Sequence, residues 1–457
     1  MTPRGLEPLS PHLARWASQL RYDDLPQEVV HTVKRSLLDY LGVTIAGADT
    51  EIARKVLACL TAIEGEGGDA SAIGTGRRLS PLNATLANGV AATVLELDGG
   101  HARAPLHVMT ACVPAIFSAA QARKSSGKDL VVAIAVACEV LSRLAVAASG
   151  AAQKGFNCSS LLGVLGAAIG VAKLLGSDTD TIVHALGLAG SNTGGMFDFG
   201  DGWLDSWSVN VGRTGREGYL CAVLAAQGIA GPADILDGSM GIAAMFNGRP
   251  FDRGIVLNAL GQEWRMLEMY VKLYPCCRIL HSTIDAAVLL RTKIGAEIDR
   301  IEKITIETSA ASAKLDGKRI DSMMAAQFSL PYGVAAGLVF GPPKLEHFAD
   351  AARGDPRLLR LVERVDVVES ADPDISGRRM AARVGILLDG ATVDATVLEP
   401  SGNPENPTSD AELEDKFRYL ADPRIVSEAA QRIRDVVWDL CHENNGLKLF
   451  GLLSDAA

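Results

Sequence analysis

Apolar residues recur every three or four positions through most of the first half of the chain. Val29, Val33, Leu37, Leu38 and Leu41 form one such face, and Gly42 is expected to break that helix. Leu82 to Leu97, Pro114 to Ser125 and Leu130 to Ser149 show the same spacing and are expected to be helices. The run from Ser160 to Gly176 is apolar on nearly every side, which fits a buried helix. It falls short of the ~20 residues that cross a bilayer, and Lys173 interrupts it. Gly163, Gly166 and Gly170 lie on or near one face of it, where a neighbouring helix can approach closely.

The period changes near Asp299. Ile301 to Thr308 (IEKITIET) and Val362 to Glu369 (VERVDVVE) alternate as half-buried strands do. Arg383 to Val397 reads as a hairpin turning at Asp389-Gly390, a pair suited to a type I′ turn. Leu413 to Leu420 and Val426 to Leu440 return to helical spacing. The pattern predicts a mainly α protein: a large helical domain (1–264 with 399–457) and an inserted, smaller α+β lid domain (265–398). A small ligand is expected in the cleft between them.

Composition narrows the function. Aromatic residues make up only 5% of the chain while glycine numbers 46, favouring closely packed helices over an aromatic-rich β sandwich. A net charge of −10 argues against general nucleic-acid binding, which needs a basic footprint. The eight cysteines contain no CxxC pair, so neither a disulfide framework nor a zinc site is expected. MTPRGLEPLSPHLARW has no apolar signal-like core, and no segment reads as membrane-spanning. The cytoplasm is the expected compartment. Phosphate-loop, HExxH, GxSxG and dinucleotide-binding motifs are absent from the sequence.

Three clusters carry candidate chemistry. LELDGGHARAPLH brings Asp98, His101, Arg103 and His107 into one loop, and imidazoles beside a carboxylate suit acid–base work. A merely solvated polar loop is the alternative. VKLYPCCRILH places Lys272, Tyr274 and Arg278 at the expected domain junction, where a lysine binds a carboxylate or, if desolvated, acts as a base. Cys276 and Cys277 read as small buried hydrophobes. GWLDSWSVNVGRTGREG (Gly202 to Gly218) offers glycine turns before a helix, with Arg213 available to an anion. Simple loop and cap duty is the commoner use of such glycines.

Taken in order, SLLDYLGVTIAG, ANGVAATVLELD, HVMTACVPA, GVLGAAIGVAKLLGSD, KLYPCCRILH, QFSLPYG and GNPENP with DKFRYLA resemble the MmgE/PrpD family nearly end to end. The resemblance implies a helical domain with a smaller lid, usually in a homodimer, with no metal or organic cofactor. It also implies carbon-acid chemistry beside a carboxylate, as in 2-methylcitrate dehydratases, cis-aconitate decarboxylases and an iminodisuccinate epimerase. Carried over by position, Asp98, His107 and Lys272 match motif residues. Gly99 replaces the second Asp of a DD pair, and Val108 the proline after the histidine. Asn157 stands where many relatives have histidine, while Trp207 and Asn210 stand where the family has K-x-x-H.

The resemblance thus implies a cofactor-independent lyase, hydro-lyase or decarboxylase in type, acting on a small carboxylic acid. Asp98, His107 and Lys272 are its catalytic candidates. His101, Arg103, Asn157, Trp207, Arg213, Tyr274 and Arg278 are its binding candidates. Losing one cation and one base suggests fewer substrate carboxylates than citrate has, or an apolar part against Trp207. An epimerase of a small dicarboxylate and a non-catalytic ligand-binding paralogue are the competing readings, and Asn157 as a plain helix cap is the competing reading of that residue.

Overall fold

The computed structural model describes residues 7–196 and 205–455. Thus residues 202–204 of the third cluster lie outside the described residues.

The centre of the larger core is the Cys158–Leu174 helix, packed against the Val108–Arg123, Gly127–Ala147 and Ser206–Ala226 helices. Its small residues set the spacing. A Cβ on Gly170 would stand 2.4 Å from Ile116, and one on Gly163 would stand 2.7 Å from Ala111, so only hydrogen fits. The Gly127–Ala147 helix is apolar and long enough to cross a membrane, but 94% of its most apolar window is buried within the fold. Two of its four charges are internal: Arg143 pairs with Glu139 and donates to the carbonyls of Val256, Asn258 and Glu263, closing backbone acceptors that burial would otherwise strand.

This core draws on Leu9 to Met266 and again on Leu413 to Leu453. A second core runs from Tyr274 to Ala395. Two short ribbons, β1 (Ala70–Ala72) with β2 (Arg77–Leu79) and β3 (Gly100–His101) with β4 (Met269–Tyr270), precede its four strands. These are β5 (Ile301–Thr308), β6 (Val365–Glu369), β7 (Ala382–Leu388) and β8 (Ala391–Val397), which form one sheet of order β6-β5-β7-β8. β5 and β6 run parallel, and the other neighbours are antiparallel. Ile304, Ile306, Val384 and Ile386 bury one face, covered by the His281–Ile294 helix, which in turn packs on Leu330–Phe340. Asp389 and Gly390 have φ of 50° and 74°, the left-handed pair a type I′ turn demands.

Four expected boundaries move, and the first is that the helix expected over Leu82 to Leu97 ends at Thr93. Gly42 does not end its helix, which runs from Gln27 to Ala48, because that position packs beneath Phe417, where a bare Cα fits best. Pro114 lies inside the Val108–Arg123 helix rather than at its start. Residues 362 and 363 belong to the Pro356–Glu363 helix, so β6 begins at Val365.

Candidate active site

A two-residue ribbon assembles the site. β3 (Gly100–His101) pairs antiparallel with β4 (Met269–Tyr270), laying the Asp98–His107 loop beside Lys272. Gly99 lies where a Cβ would meet the Tyr270 carbonyl at 2.4 Å, so an Asp there would force the ribbon apart. Gln327, of the QFSLPYG motif, ties the two strands of chain together, donating to the carbonyls of Leu95 (3.0 Å) and Pro275 (2.9 Å).

Around this ribbon lies a cleft enclosing about 650 Å³, part of it open to solvent. It is lined from the helical part by Glu96, His101, His107, Asn157 and Trp207, from the junction by Tyr270, Lys272, Cys277 and Arg278, and from the second core by Phe328, Arg379 and Met380.

His107 is the first residue before the Val108–Arg123 helix, and its backbone N–H donates to Ser159 Oγ at 2.9 Å. Its Nδ1 stands 2.8 Å from Asp98 Oδ2, off the straight line of a full hydrogen bond, so the contact is chiefly electrostatic. Thr110 donates to the same Oδ2 at 2.8 Å. Burial pushes the Asp98 acid up, but His107, Lys272 and Thr110 together outweigh it and hold its pKa below the usual carboxylate value. Asp98 is therefore an anion that directs Nδ1 inward, while Nε2 makes no hydrogen bond among the described residues. Trp207 packs edge-on against the imidazole, with ring centroids 5.6 Å apart.

Lys272 is 1% exposed and donates to Glu96 Oε2 (2.9 Å) and to the Glu96 carbonyl (3.0 Å). Burial works against its charge, but Glu96 and Asp98 outweigh burial and raise its pKa above the ordinary lysine value. The Glu96 carboxylate thus favours the charged form of Lys272, which suits binding a carboxylate more than acting as a neutral base. Glu96, not singled out in the sequence, has φ of 54° on a non-glycine residue and a buried Oε1 without a hydrogen-bond partner among the described residues. Backbone strain and an unpaired buried oxygen in the cleft lining make it a further candidate residue of the site.

Asn157 caps a helix and also lines the cleft. Oδ1 caps the Cys158–Leu174 helix by accepting from Ser160 N at 3.2 Å, and Nδ2 is a buried donor without a partner among the described residues. Two helix N-termini, at Val108 and Cys158, meet at this floor and add positive potential.

Other expected contacts fall elsewhere. His101 lines the cleft, but Nδ1 accepts from Arg103 N (3.2 Å) and Nε2 faces the Arg265 carbonyl (3.0 Å), so both ring nitrogens are taken. Burial lowers its pKa and keeps it neutral. Arg103 is exposed against Glu268 at 3.3 Å, outside the lining. Arg213 is half-buried on its helix and also lies outside it. Tyr274 is buried in the second core, donating to Asp285 at 2.6 Å. Arg278 does reach the cleft. Its donors serve His281, the Ser401 carbonyl and Asn403 Oδ1, its plane covers the Tyr270 ring, and burial pulls its pKa down to about 10.

Residues 11–253 match the MmgE/PrpD N-terminal domain and residues 274–441 the MmgE/PrpD C-terminal domain. The chain is 31% identical to a cis-aconitate decarboxylase-like protein, oryM, of Aspergillus oryzae, covering 99% of this chain and 98% of that one. It is 30% identical to a cis-aconitate decarboxylase of Aspergillus terreus (94% and 92% covered) and 26% identical to one of Homo sapiens (92% and 89%). Such relatives place it among enzymes of the lyase type. With both domains matched and relatives aligned from end to end, the chain belongs to the MmgE/PrpD family.

Proposed function

We propose that this protein is a decarboxylase of a small unsaturated carboxylic acid of the cis-aconitate type, with His107 supplying the proton at carbon. The observation that carries this reading is the Asp98–His107 pair at 2.8 Å in the same cleft as Lys272, whose ammonium stands 2.9 Å from the Glu96 carboxylate. Lys272 and Asn157 Nδ2 receive the carboxylate next to the reacting carbon. The bond from carbon to the departing carboxylate breaks, and carbon dioxide leaves. Its bonding pair spreads into the remaining unsaturated acid, where fixed positive groups stabilise it. The double bond shifts toward the carbon that lost its carboxylate, one proton passes from His107 Nε2 to the former alkene carbon at the other end, and solvent reloads the imidazole. Asp98 keeps Nδ1 protonated throughout, so that Nε2 is the exchanging atom.

Trp207 and Asn157 give the reading its specificity. Where the family carries a further lysine and histidine, this cleft has an indole edge and a neutral amide, so the substrate has fewer charged groups than cis-aconitate or bears an apolar arm along Trp207. The test is proton NMR on a panel of unsaturated mono-, di- and tricarboxylic acids, cis-aconitate included, with trapped carbon dioxide counted in parallel. His107→Asn serves as the control. Carbon dioxide and a matching new alkene, lost in the variant, are expected; no carbon dioxide from any acid would end the proposal.

A further inference from the structure

We propose that Arg379 binds a second carboxylate of the substrate, one retained through the reaction, and so selects di- and tricarboxylates over monocarboxylates. This rests on the decarboxylase reading of the same cleft.

Arg379 reaches the cleft wall from the loop between the short Pro373–Ser376 helix and β7. The backbone around it is pinned. Ser312 Oγ donates to the Arg379 carbonyl at 2.7 Å, and Thr308 Oγ1 donates to the Ala381 carbonyl at 2.8 Å. Met380, between them, is buried and lines the same wall. Yet the Arg379 guanidinium makes no hydrogen bond or ion pair among the described residues.

The other arginines and lysines nearby are largely committed. Lys272 has spent two of its three N–H groups on Glu96, and Arg278 gives both terminal nitrogens to carbonyls, His281 and Asn403, leaving its buried Nε without a partner among the described residues. Arg378, the preceding residue, pairs with Glu399 at 2.7 Å, and Arg383 pairs with Asp372 at 2.9 Å. Arg379 is itself exposed, so its guanidinium is open to solvent at the cleft wall, and its free planar fork fits a carboxylate taken two-pronged. Phe328, Ile279 and Met380 line the same cleft beside it. Its field reaches the opposite wall: it opposes the upward push of burial on the thiols of Cys158, next to Asn157, and of Cys277.

This divides the labour between two ends of the ligand. The floor of His107, Lys272 and Asn157 faces the reacting end, and Arg379 holds the far carboxylate equally in ground and transition states. Its loss therefore raises KM and leaves kcat nearly unchanged.

The experiment is calorimetric binding of an unreactive pair, methylsuccinate and isobutyrate, to the full chain and to Arg379→Gln, Arg379→Lys and Arg378→Gln. Carbon dioxide release is measured on the same four proteins. Arg379→Gln is expected to weaken methylsuccinate about 10- to 100-fold, to leave isobutyrate within about 2-fold, and to be partly rescued in Arg379→Lys. Arg378→Gln is expected to match the unmodified chain. Unchanged methylsuccinate affinity in Arg379→Gln, equal losses for both acids, or no binding of methylsuccinate to the unmodified chain would each overturn the assignment. The two readings fail separately. Decarboxylation with unchanged affinity removes only the role of Arg379, whereas lost affinity without decarboxylation by any of the proteins removes only the proposed reaction.

Discussion

Replacing Lys272 by Met should destabilise the protein mainly through what is left behind. Lys272 Nζ and Glu96 Oε2 are 2.9 Å apart and both side chains are almost wholly buried. At that separation an effective dielectric of about 20 gives an attraction of about 6 kcal/mol, which is largely offset by the several kcal/mol each ion loses on leaving water. The intact pair is thus worth little net. Truncating one partner strands Glu96 as an uncompensated buried charge, at a cost of about 3–5 kcal/mol. For a chain of this length that is a fall of roughly 3–5 °C in Tm. Adding Glu96→Gln to Lys272→Met removes the stranded charge and should recover most of the loss, to within about 1–2 kcal/mol of the unmodified chain. Activity should stay lost in both, because neither carries the cation. Calorimetric unfolding of the two single variants and the double variant reads this directly. A Lys272→Met chain as stable as the original, or a double variant no better than the single, would refute the ion-pair reasoning.

Burial holds His101 and His281 with lowered pKa values, so below about pH 6.5 the unfolded chain takes up protons that the folded chain refuses. Stability is then full above about pH 6.5 and falls as the pH drops, by up to about 1.4 kcal/mol per unit for each histidine. His281→Asn should remove one share of that slope in denaturant titrations run from pH 7 to pH 5. Asn157→Ser keeps a side-chain cap but loses the Nδ2 donor, so its stability should change by less than about 0.5 kcal/mol while KM rises; Asn157→Ala should lose about 1 kcal/mol as well. A Cβ at Gly47 would lie 1.8 Å from the Ala91 carbonyl oxygen, whereas one at Gly42 meets the Phe417 ring at 3.1 Å. Gly47→Ala should therefore cost at least about 2–3 kcal/mol. Gly42→Ala should cost about 1 kcal/mol or less in the same melts, since the ring can shift and alanine favours the helix.

The mainly α architecture with a smaller α+β part was legible because both periods, near 3.6 and 2, are long and clean in this chain. Local punctuation was the weaker guide. Gly42 and Pro114 look like breaks, but tertiary contacts at Phe417 and the length of the surrounding apolar runs carry both helices through. Val362 alternates correctly for a strand, yet Pro356 starts a helix whose last turn holds it. In the site, Asp98, His107 and Lys272 could be singled out because each stands in a motif shared with the family, and Asn157 because it stands where many relatives have histidine. Glu96 was hidden in the same LELD stretch, and the available signal was its place two residues before Asp98. Arg379 lies far along the chain in an unremarkable GRRM stretch. Only the folding of that loop over the cleft distinguishes it from the paired Arg378. Tyr274 and Arg103, close in sequence to site residues, turn away because a buried phenol needs Asp285 and an exposed guanidinium finds Glu268.

Proton delivery is the step on which the account turns. The measurement is the position and stereochemistry of deuterium in the product when the substrate identified by carbon dioxide release is turned over in deuterium oxide. It is made with the unmodified chain and with His107→Gln, whose ligand affinity is checked alongside. One deuterium on a single face of the former alkene carbon, at the far end of the allylic unit from the departed carboxylate, with incorporation and turnover both lost in a variant that still binds, is the predicted result. Deuterium on both faces, or the same stereospecific label from His107→Gln, would contradict His107 as the proton donor.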